Sequence, residues 1–296
     1  MELTLQRNIV LNSDQSSIFK STFNDSFQKT FCIDTNNWKL TRRTYKLLKT
    51  ALKKNYNPVV SIFVNPLQFG PNEDLDKYPR SLERDLEILE ENNCHGVFIP
   101  SQSEILKNIE SLIAPFANKL CGKSRPGHFD GVITIVNRLF ELINPDACVF
   151  GMKDFQQQLI IKQLIKQKKY QIKFLSASTE RDEKGLALSS RNNYLSENET
   201  IHASLIFKFL NEIKNDIELS YQKNTNLSLS DLNLIQKKFQ KKIEKEGFKI
   251  DYLDISDSET LEEIKSDTKF VLIAIAVFYK EVRLIDNLIL DLTSFS

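Results

Sequence analysis

Three short stretches of this chain carry side chains that suit phosphate chemistry. In Gly151-Met152-Lys153-Asp154 the glycine permits close backbone approach, the lysine supplies a point charge, and the aspartate offers oxygen to Mg²⁺. Leu188-Ser189-Ser190-Arg191 adds two hydroxyls and a guanidinium, a set of donors for phosphate oxygens. Ser124-Arg125-Pro126-Gly127-His128-Phe129 puts an arginine and a histidine on a loop shaped by proline and glycine. Asn65, Gln68 and Gln157 are neutral amides able to orient a hydroxy acid without a buried charge. Singly, each has a plainer reading: a solvated cap, a polar turn, a structural histidine, a surface amide.

The elements that must position these residues alternate in type. Val59 to Val64 reads as a buried strand closed by Asn65-Pro66. Leu82, Leu86 and Leu89 mark an amphipathic helix over Ser81 to Asn92, and Gly96 to Ile99 is the next strand. Val132 to Ile143 has helical periodicity, Cys148 to Gly151 is a short strand, and Asp154 can cap a helix running through Ile165. Ile172 to Leu175 follows as a strand. This βαβα order predicts an α/β fold, a parallel sheet covered by helices, with ligands beyond the carboxyl ends of its strands.

After Arg191 the pattern changes. Helices are expected over Glu197 to Leu219 and Ser228 to Glu246, then strand-like runs near Tyr252, from Val271 to Phe278 and from Val282 to Ile285. The reading is a first domain over residues 1–186 and a smaller α+β domain over 187–296.

Composition narrows the class. A chain of 296 residues can bury a real core, and 41% apolar with 27% charged residues is ordinary for a soluble protein. Lys+Arg of 40 against Asp+Glu of 39 leaves no global field for nucleic acid or an acidic membrane, so any anion recognition is local. Cys32, Cys94, Cys121 and Cys148 show no metal or disulfide spacing and read as buried free thiols. The apolar run from Phe270 to Phe278 is too short to span a bilayer, and no secretory signal is visible, so a cytoplasmic protein is expected.

Taken together, the strings SIFVNPLQFGPNEDLDKYPR, SRPGHFDGV, FGMKDFQQ, GLALSSRNNYL and RLIDN stand in the order and spacing of one family. From about Leu48 to Leu290 the chain resembles the pantothenate synthetases. The resemblance implies a Rossmann-like domain of the nucleotidyltransferase type, a smaller C-terminal domain that closes over the site, and a homodimer. It implies an ATP-dependent condensation of pantoate with β-alanine, through a pantoyl adenylate, that releases AMP and pyrophosphate. Gln68 and Gln157 would then hold pantoate, with Gln68 beside the β-alanine site and Asn65 shaping the pocket. Gly151 to Asp154 and Leu188 to Arg191 would hold ATP, with Lys153 on the phosphates, Asp154 near Mg²⁺ and His128 lining the cleft. Lys153, Arg191 and His128 are the catalytic candidates. Met152 stands where the family usually has Glu.

One family motif is absent as the chain reads. The form PT-x-G-x-LH-x-GH would fall on Thr35 to Thr44, where the residues are TNNWKLTRRT. Its histidine positions hold Thr41 and Thr44, the latter where the family has its proton-donor histidine, and its glycine positions hold Trp38 and Arg43. Codons compatible with Asp34 to Leu47, read one base later, spell IPTTGNLHEGHIS, and Trp followed by Lys forces a glycine codon in that frame. The segment upstream of about Leu47 is therefore expected to be read out of frame, and the chain as it stands to be severely slowed. The alternative is an impaired homologue that keeps pantoate binding or a scaffold role.

Overall fold

The apolar runs of the first half become strands of one sheet. In the computed structural model of the chain, residues 9–12, 29–34, 42–68, 82–224 and 227–295 are described. Two compact units result: Met1–Asn118 with Arg125–Met152 and Gln156–Ser178, and Thr179–Ser296 with Lys119–Ser124 and Lys153–Phe155.

In chain order the elements of the first part are β1 (Ile9–Asn12), β2 (Lys29–Asp34), α1 (Arg42–Leu52), β3 (Asn57–Ile62), a 3-10 turn (Pro66–Gln68), α2 (Leu82–Glu91), β4 (Gly96–Ile99) and α3 (Gln102–Leu106). Then come α4 (Leu120–Ser124), α5 (His128–Ile143), β5 (Ala147–Gly151), a 3-10 turn (Met152–Asp154), α6 (Phe155–Gln167) and β6 (Lys173–Ala177). The strands form a six-stranded sheet ordered β1-β4-β3-β2-β5-β6 with every neighbouring pair parallel. Strands of such a sheet are covered on both faces, so they read as continuous apolar runs rather than alternating ones. Val59, Val60, Val97, Ala147, Cys148 and Val149 are all buried accordingly.

Helix α1 packs Leu47, Leu48 and Ala51 into the same core as Val60, Val97, Val149 and Leu175. The helix begins at Arg42, so Arg43 and Thr44 lie in its first turn. Residues 35–41, which carry most of the missing motif, lie outside the described residues. Helix α5 starts four residues earlier than its apolar periodicity suggested, because Gly127 enters it in the left-handed region at φ 78°.

The second unit continues with a 3-10 turn (Ser190–Tyr194), α7 (Glu197–Ala203), α8 (Leu205–Asn224), α9 (Leu229–Lys245), β7 (Lys249–Asp257), β8 (Phe270–Tyr279), β9 (Val282–Asp291) and a last 3-10 turn (Leu292–Phe295). Its sheet is antiparallel, ordered β7-β8-β9. Phe209, Leu210 and Ile213 of α8, Phe239 and Ile243 of α9, and Val271, Ile273, Ile275 and Val277 of β8 share one core.

Two local expectations are corrected here. The single helix expected over Glu197 to Leu219 is broken at Ser204, whose hydroxyl donates to the Ile201 carbonyl at 2.6 Å and so competes with helix continuation. Strand β9 does not stop at Ile285 but runs on through Asp286 and Asn287, which are buried at 4% and 6% exposure. The apolar run ends before those two residues; in the fold their polar groups are paired, which offsets the cost of burying them.

Candidate active site

The site residues fall into two clusters, one in each unit. In the first, the turn after β3 is locked from within: the Asn65 side-chain amide donates to the Gly131 carbonyl at 3.0 Å and to Gln68 Oε1 at 3.2 Å. Leu67 N–H donates to Asn65 Oδ1 at 2.9 Å. Asn65 and Gln68 are buried, at 0% and 3% exposure. Helix α5 meets this turn at Gly131, where a Cβ would lie 2.3 Å from the Leu67 carbonyl oxygen. Only glycine lets the two backbones approach this closely.

His128, in the first turn of α5, ties the cluster together. Its Nδ1 lies 2.8 Å from the Gln68 carbonyl and its Nε2 lies 3.0 Å from Arg125 Nη1. A carbonyl only accepts and a guanidinium only donates, so the proton sits on Nδ1 and the Nε2 lone pair faces Arg125. In this arrangement the imidazole is neutral and supports the backbone of Gln68.

The three glutamines opening α6 separate by their partners. Gln156 donates to the Phe116 carbonyl at 2.9 Å, and Gln158 donates to the Phe150 carbonyl at 2.8 Å while accepting from the Ser176 hydroxyl at 2.8 Å. Gln157 is 7% exposed, and its side-chain amide makes no hydrogen bond among the described residues. Thr44 is buried in the first turn of α1. Gly151 ends β5, paired with Ala177 of β6, and Met152 opens the turn that follows.

The second cluster is built around charge. Lys153 is buried at 8% exposure on the turn Met152–Asp154, with its ammonium 4.0 Å from Asp154 Oδ1. Its carbonyl accepts a hydrogen bond of 2.9 Å from the Asn287 side chain. Leu188 follows a small antiparallel bridge between Arg181 and Ala187, its N–H donating to the Glu180 carbonyl at 2.9 Å. Gly185 turns that segment at φ 96°, a conformation that favours glycine. Ser189 Oγ accepts from Arg191 N–H at 3.3 Å and opens the 3-10 turn that carries Ser190 and Arg191. The Asn192 side chain donates to the Ala187 carbonyl at 3.1 Å. The two loops meet at a small crevice of about 10 Å³, lined by Lys153, Ser189, Asn192 and Asp286 among others.

Asp286 is a carboxylate in that crevice, and Arg181 neutralises it with two hydrogen bonds of 2.5 and 2.9 Å. The same guanidinium stacks 3.7 Å from the Phe207 ring and donates to the Gly185 carbonyl at 3.0 Å. Asp286, Asn287 and Arg181 were not singled out from sequence, although Asp286 and Asn287 close the string RLIDN. The signal available was the run itself, with no cue to which of its residues is buried.

Other chemistries find little support. Cys94, Cys121 and Cys148 are free and buried, and burial raises the Cys94 thiol to about 12 and Cys148 higher still, far from nucleophilic. The side chain of Cys32 lies outside the described ones. No group of three or more His, Cys, Asp or Glu that could hold a metal occurs among the described residues. A single carboxylate such as Asp154 does fit Mg²⁺ that arrives on nucleotide phosphates, since that ion keeps water and phosphate among its ligands. No helix among the described residues is long and apolar enough to cross a membrane.

Comparison with known proteins gives one consistent answer. A family model described as pantoate-beta-alanine ligase matches residues 42–289. The pantothenate synthetase of Caldicellulosiruptor bescii is 40% identical over 250 residues, 83% of this chain and 86% of that protein. That of Vesicomyosocius okutanii is 41% identical over 246 residues, covering 82% and 83%. Among solved structures, pantothenate synthetase from Thermus thermophilus superposes with a TM-score of 0.80 at 31% identity, over 95% of this chain and 98% of that one. Pantoate-beta-alanine ligase from Francisella tularensis, complexed with β-γ ATP and β-alanine, gives 0.74 at 30% identity over 95% and 97%.

Proposed function

The chain belongs to the pantoate–β-alanine ligase family and is an ATP-dependent ligase joining pantoate to β-alanine, and we propose that the two clusters divide the work between them. Asn65, Gln68 and Gln157 hold pantoate, and Gly151 to Asp154 with Leu188 to Arg191 hold ATP. The carboxylate of pantoate attacks the α-phosphorus, the bond to the β-phosphate oxygen breaks, and pyrophosphate leaves. The β-alanine amine then adds to the activated carbonyl, loses a proton, and AMP departs with the former carboxylate oxygen. No residue need become covalently attached, so catalysis is positioning plus charge stabilisation.

The observation that carries this assignment is the shared crevice of Lys153 and Ser189, which joins the two loops read from sequence as phosphate-binding. Lys153 and Arg191 stabilise charge on the phosphates as pyrophosphate leaves. His128 acts through Gln68, since both of its ring nitrogens are already engaged. Asp154 gives one carboxylate to Mg²⁺ brought by ATP, an ion whose chemistry there is neutralisation of phosphate charge. Residues 187–296 act as the smaller C-terminal domain, and the enzyme is cytoplasmic and, as the resemblance implies, a homodimer. A monomer in sedimentation would remove the dimer from this reading.

Lys153→Ala should slow pyrophosphate release on the order of 10²–10³-fold while pantoate affinity, by calorimetry, stays within about two-fold. A loss of pantoate affinity as large as the loss of ATP affinity would show that the clusters are misassigned. The family match opens at Arg42, inside the stretch Thr35 to Thr44 that lacks its motif, and leaves most of that stretch unmatched. This supports an out-of-frame origin for the segment before about Leu47; genomic codons that cannot be read as glycine and histidine one base later would end that idea.

A further inference from the structure

A buried chain of three side chains runs from the second unit's loop to the backbone of Lys153. Arg181 holds the Asp286 carboxylate through both of its terminal nitrogens, at 2.5 and 2.9 Å. Asp286 Oδ1 also accepts the N–H of Asn287 at 2.8 Å. The Asn287 side chain donates to the Lys153 carbonyl at 2.9 Å. Asp286, Asn287 and Lys153 are 4%, 6% and 8% exposed, so none of these bonds is readily exchanged for water.

We propose that Arg181, Asp286 and Asn287 are positioning residues for the nucleotide step: they fix the turn that carries Lys153 and keep the crevice beside it from becoming negative. The inference rests on the assignment of Lys153 to the ATP phosphates. Its first part is geometric. Lys153 sits on a turn of three residues, and the Asn287 amide holds the central carbonyl of that turn from outside. Without it, that carbonyl loses a tie to β9 and the turn can rotate, carrying the ammonium off the position a phosphate oxygen needs.

Its second part is electrostatic. Asp286 lines the same crevice as Lys153 and Ser189, a poor place for an anion if phosphate oxygens are to approach the Lys153 ammonium. The fork of Arg181 uses both carboxylate oxygens, and its stacking on Phe207 holds the guanidinium in place. Remove that guanidinium and an uncompensated buried carboxylate repels ATP and competes for the Lys153 ammonium. Arg181 thus serves the site without touching substrate.

The test compares affinities for a non-hydrolysable ATP analogue and for pantoate by calorimetry, with AMP release and melting temperature measured on the same variants. Asn287→Ala should weaken the analogue on the order of ten-fold, the loss expected for one buried hydrogen bond, with pantoate unchanged. Arg181→Gln should weaken it more, and adding Asp286→Asn to Arg181→Gln should restore most of the loss, since the pair then carries no stranded charge. A purely structural role would instead lower the melting temperature and leave the ratio of analogue to pantoate affinity where it was. That outcome, or an Arg181→Gln defect that Asp286→Asn deepens, overturns the proposal. Lys153→Ala separates the premises: if it weakens the analogue while Asn287→Ala does not, only this inference fails, and if neither does, the assignment of Lys153 fails with it.

Discussion

The cluster proposed for pantoate and the cluster proposed for the phosphates reach rigidity by opposite means. Asn65, Gln68 and His128 form a network of neutral side chains seated on close backbone contact, with Gly131 against the Leu67 carbonyl. Lys153, Ser189 and Asn192 line a crevice whose buried carboxylate, Asp286, is cancelled by an arginine. The difference follows the cargo. A small hydroxy acid is chosen by shape and by amides that need no desolvated charge, whereas polyphosphate demands cations and tolerates no stray anion. The first cluster should therefore be most sensitive to added volume, the second to changes in charge.

The largest expected effect concerns the phosphate side and the stretch before α1. Replacing Trp38→Gly, Thr41→His, Arg43→Gly and Thr44→His together should raise the rate of adenylate formation on the order of 10²–10³-fold, read as pyrophosphate release, and leave pantoate affinity unchanged. An unaltered rate would mean that the chain as it stands already has a competent phosphate loop, and the division of labour would need redrawing. Next in size, Gly131→Ala should push the turn that carries Gln68, because the new methyl would stand 2.3 Å from a backbone oxygen that has no side-chain freedom to yield. Pantoate affinity should fall on the order of ten-fold, with a stability cost of about 1–3 kcal/mol and ATP-analogue affinity unchanged. Equal losses for both ligands would break the comparison.

The smallest effect belongs to an ion pair outside both clusters. Lys280 and Glu199 meet at the surface where Ser196 and Glu199 form the capping box of α7. The Lys280 ammonium, helped by the Ser196 N–H and hydroxyl, holds the Glu199 carboxyl at about 2, below its ordinary 4.5. A carboxyl depressed in the folded state contributes above its unfolded value and loses that contribution as pH falls through the folded one. Lys280→Gln should thus lower the melting temperature by only about 1–2 °C near neutrality, and the gap should close as pH falls from about 4.5 toward 2. The contrast with Arg181–Asp286 lies in burial: an exposed pair is screened and exchanges with water, a buried one is not.

Much of this was legible from residue types. The strand cores around Val60, Val97 and Val149 announce themselves as continuous apolar runs, since a strand covered on both faces has no polar side. Gln68, Gln157, Lys153 and Arg191 could be named because their strings are ordered as in one family. That Gln156 and Gln158 are engaged by backbone carbonyls was not legible from local pattern, because three consecutive amides look alike until their partners are seen.

What the sequence by itself determined is the family, the α/β order, the loops proposed to carry the chemistry, and the gap between Thr35 and Thr44. These depend on residue identity and short-range spacing, which a linear string preserves. The tertiary structure alone decided that His128 carries its proton on Nδ1, that Gly131 must be glycine, and that Asp286 and Asn287 belong inside a strand. Each of these is settled by a partner far along the chain: Gln68 for His128, Leu67 for Gly131, Arg181 for Asp286 and Lys153 for Asn287. A polar residue's local neighbours do not reveal whether a distant group will compensate its burial, and that compensation is what allows a buried charge or amide to exist.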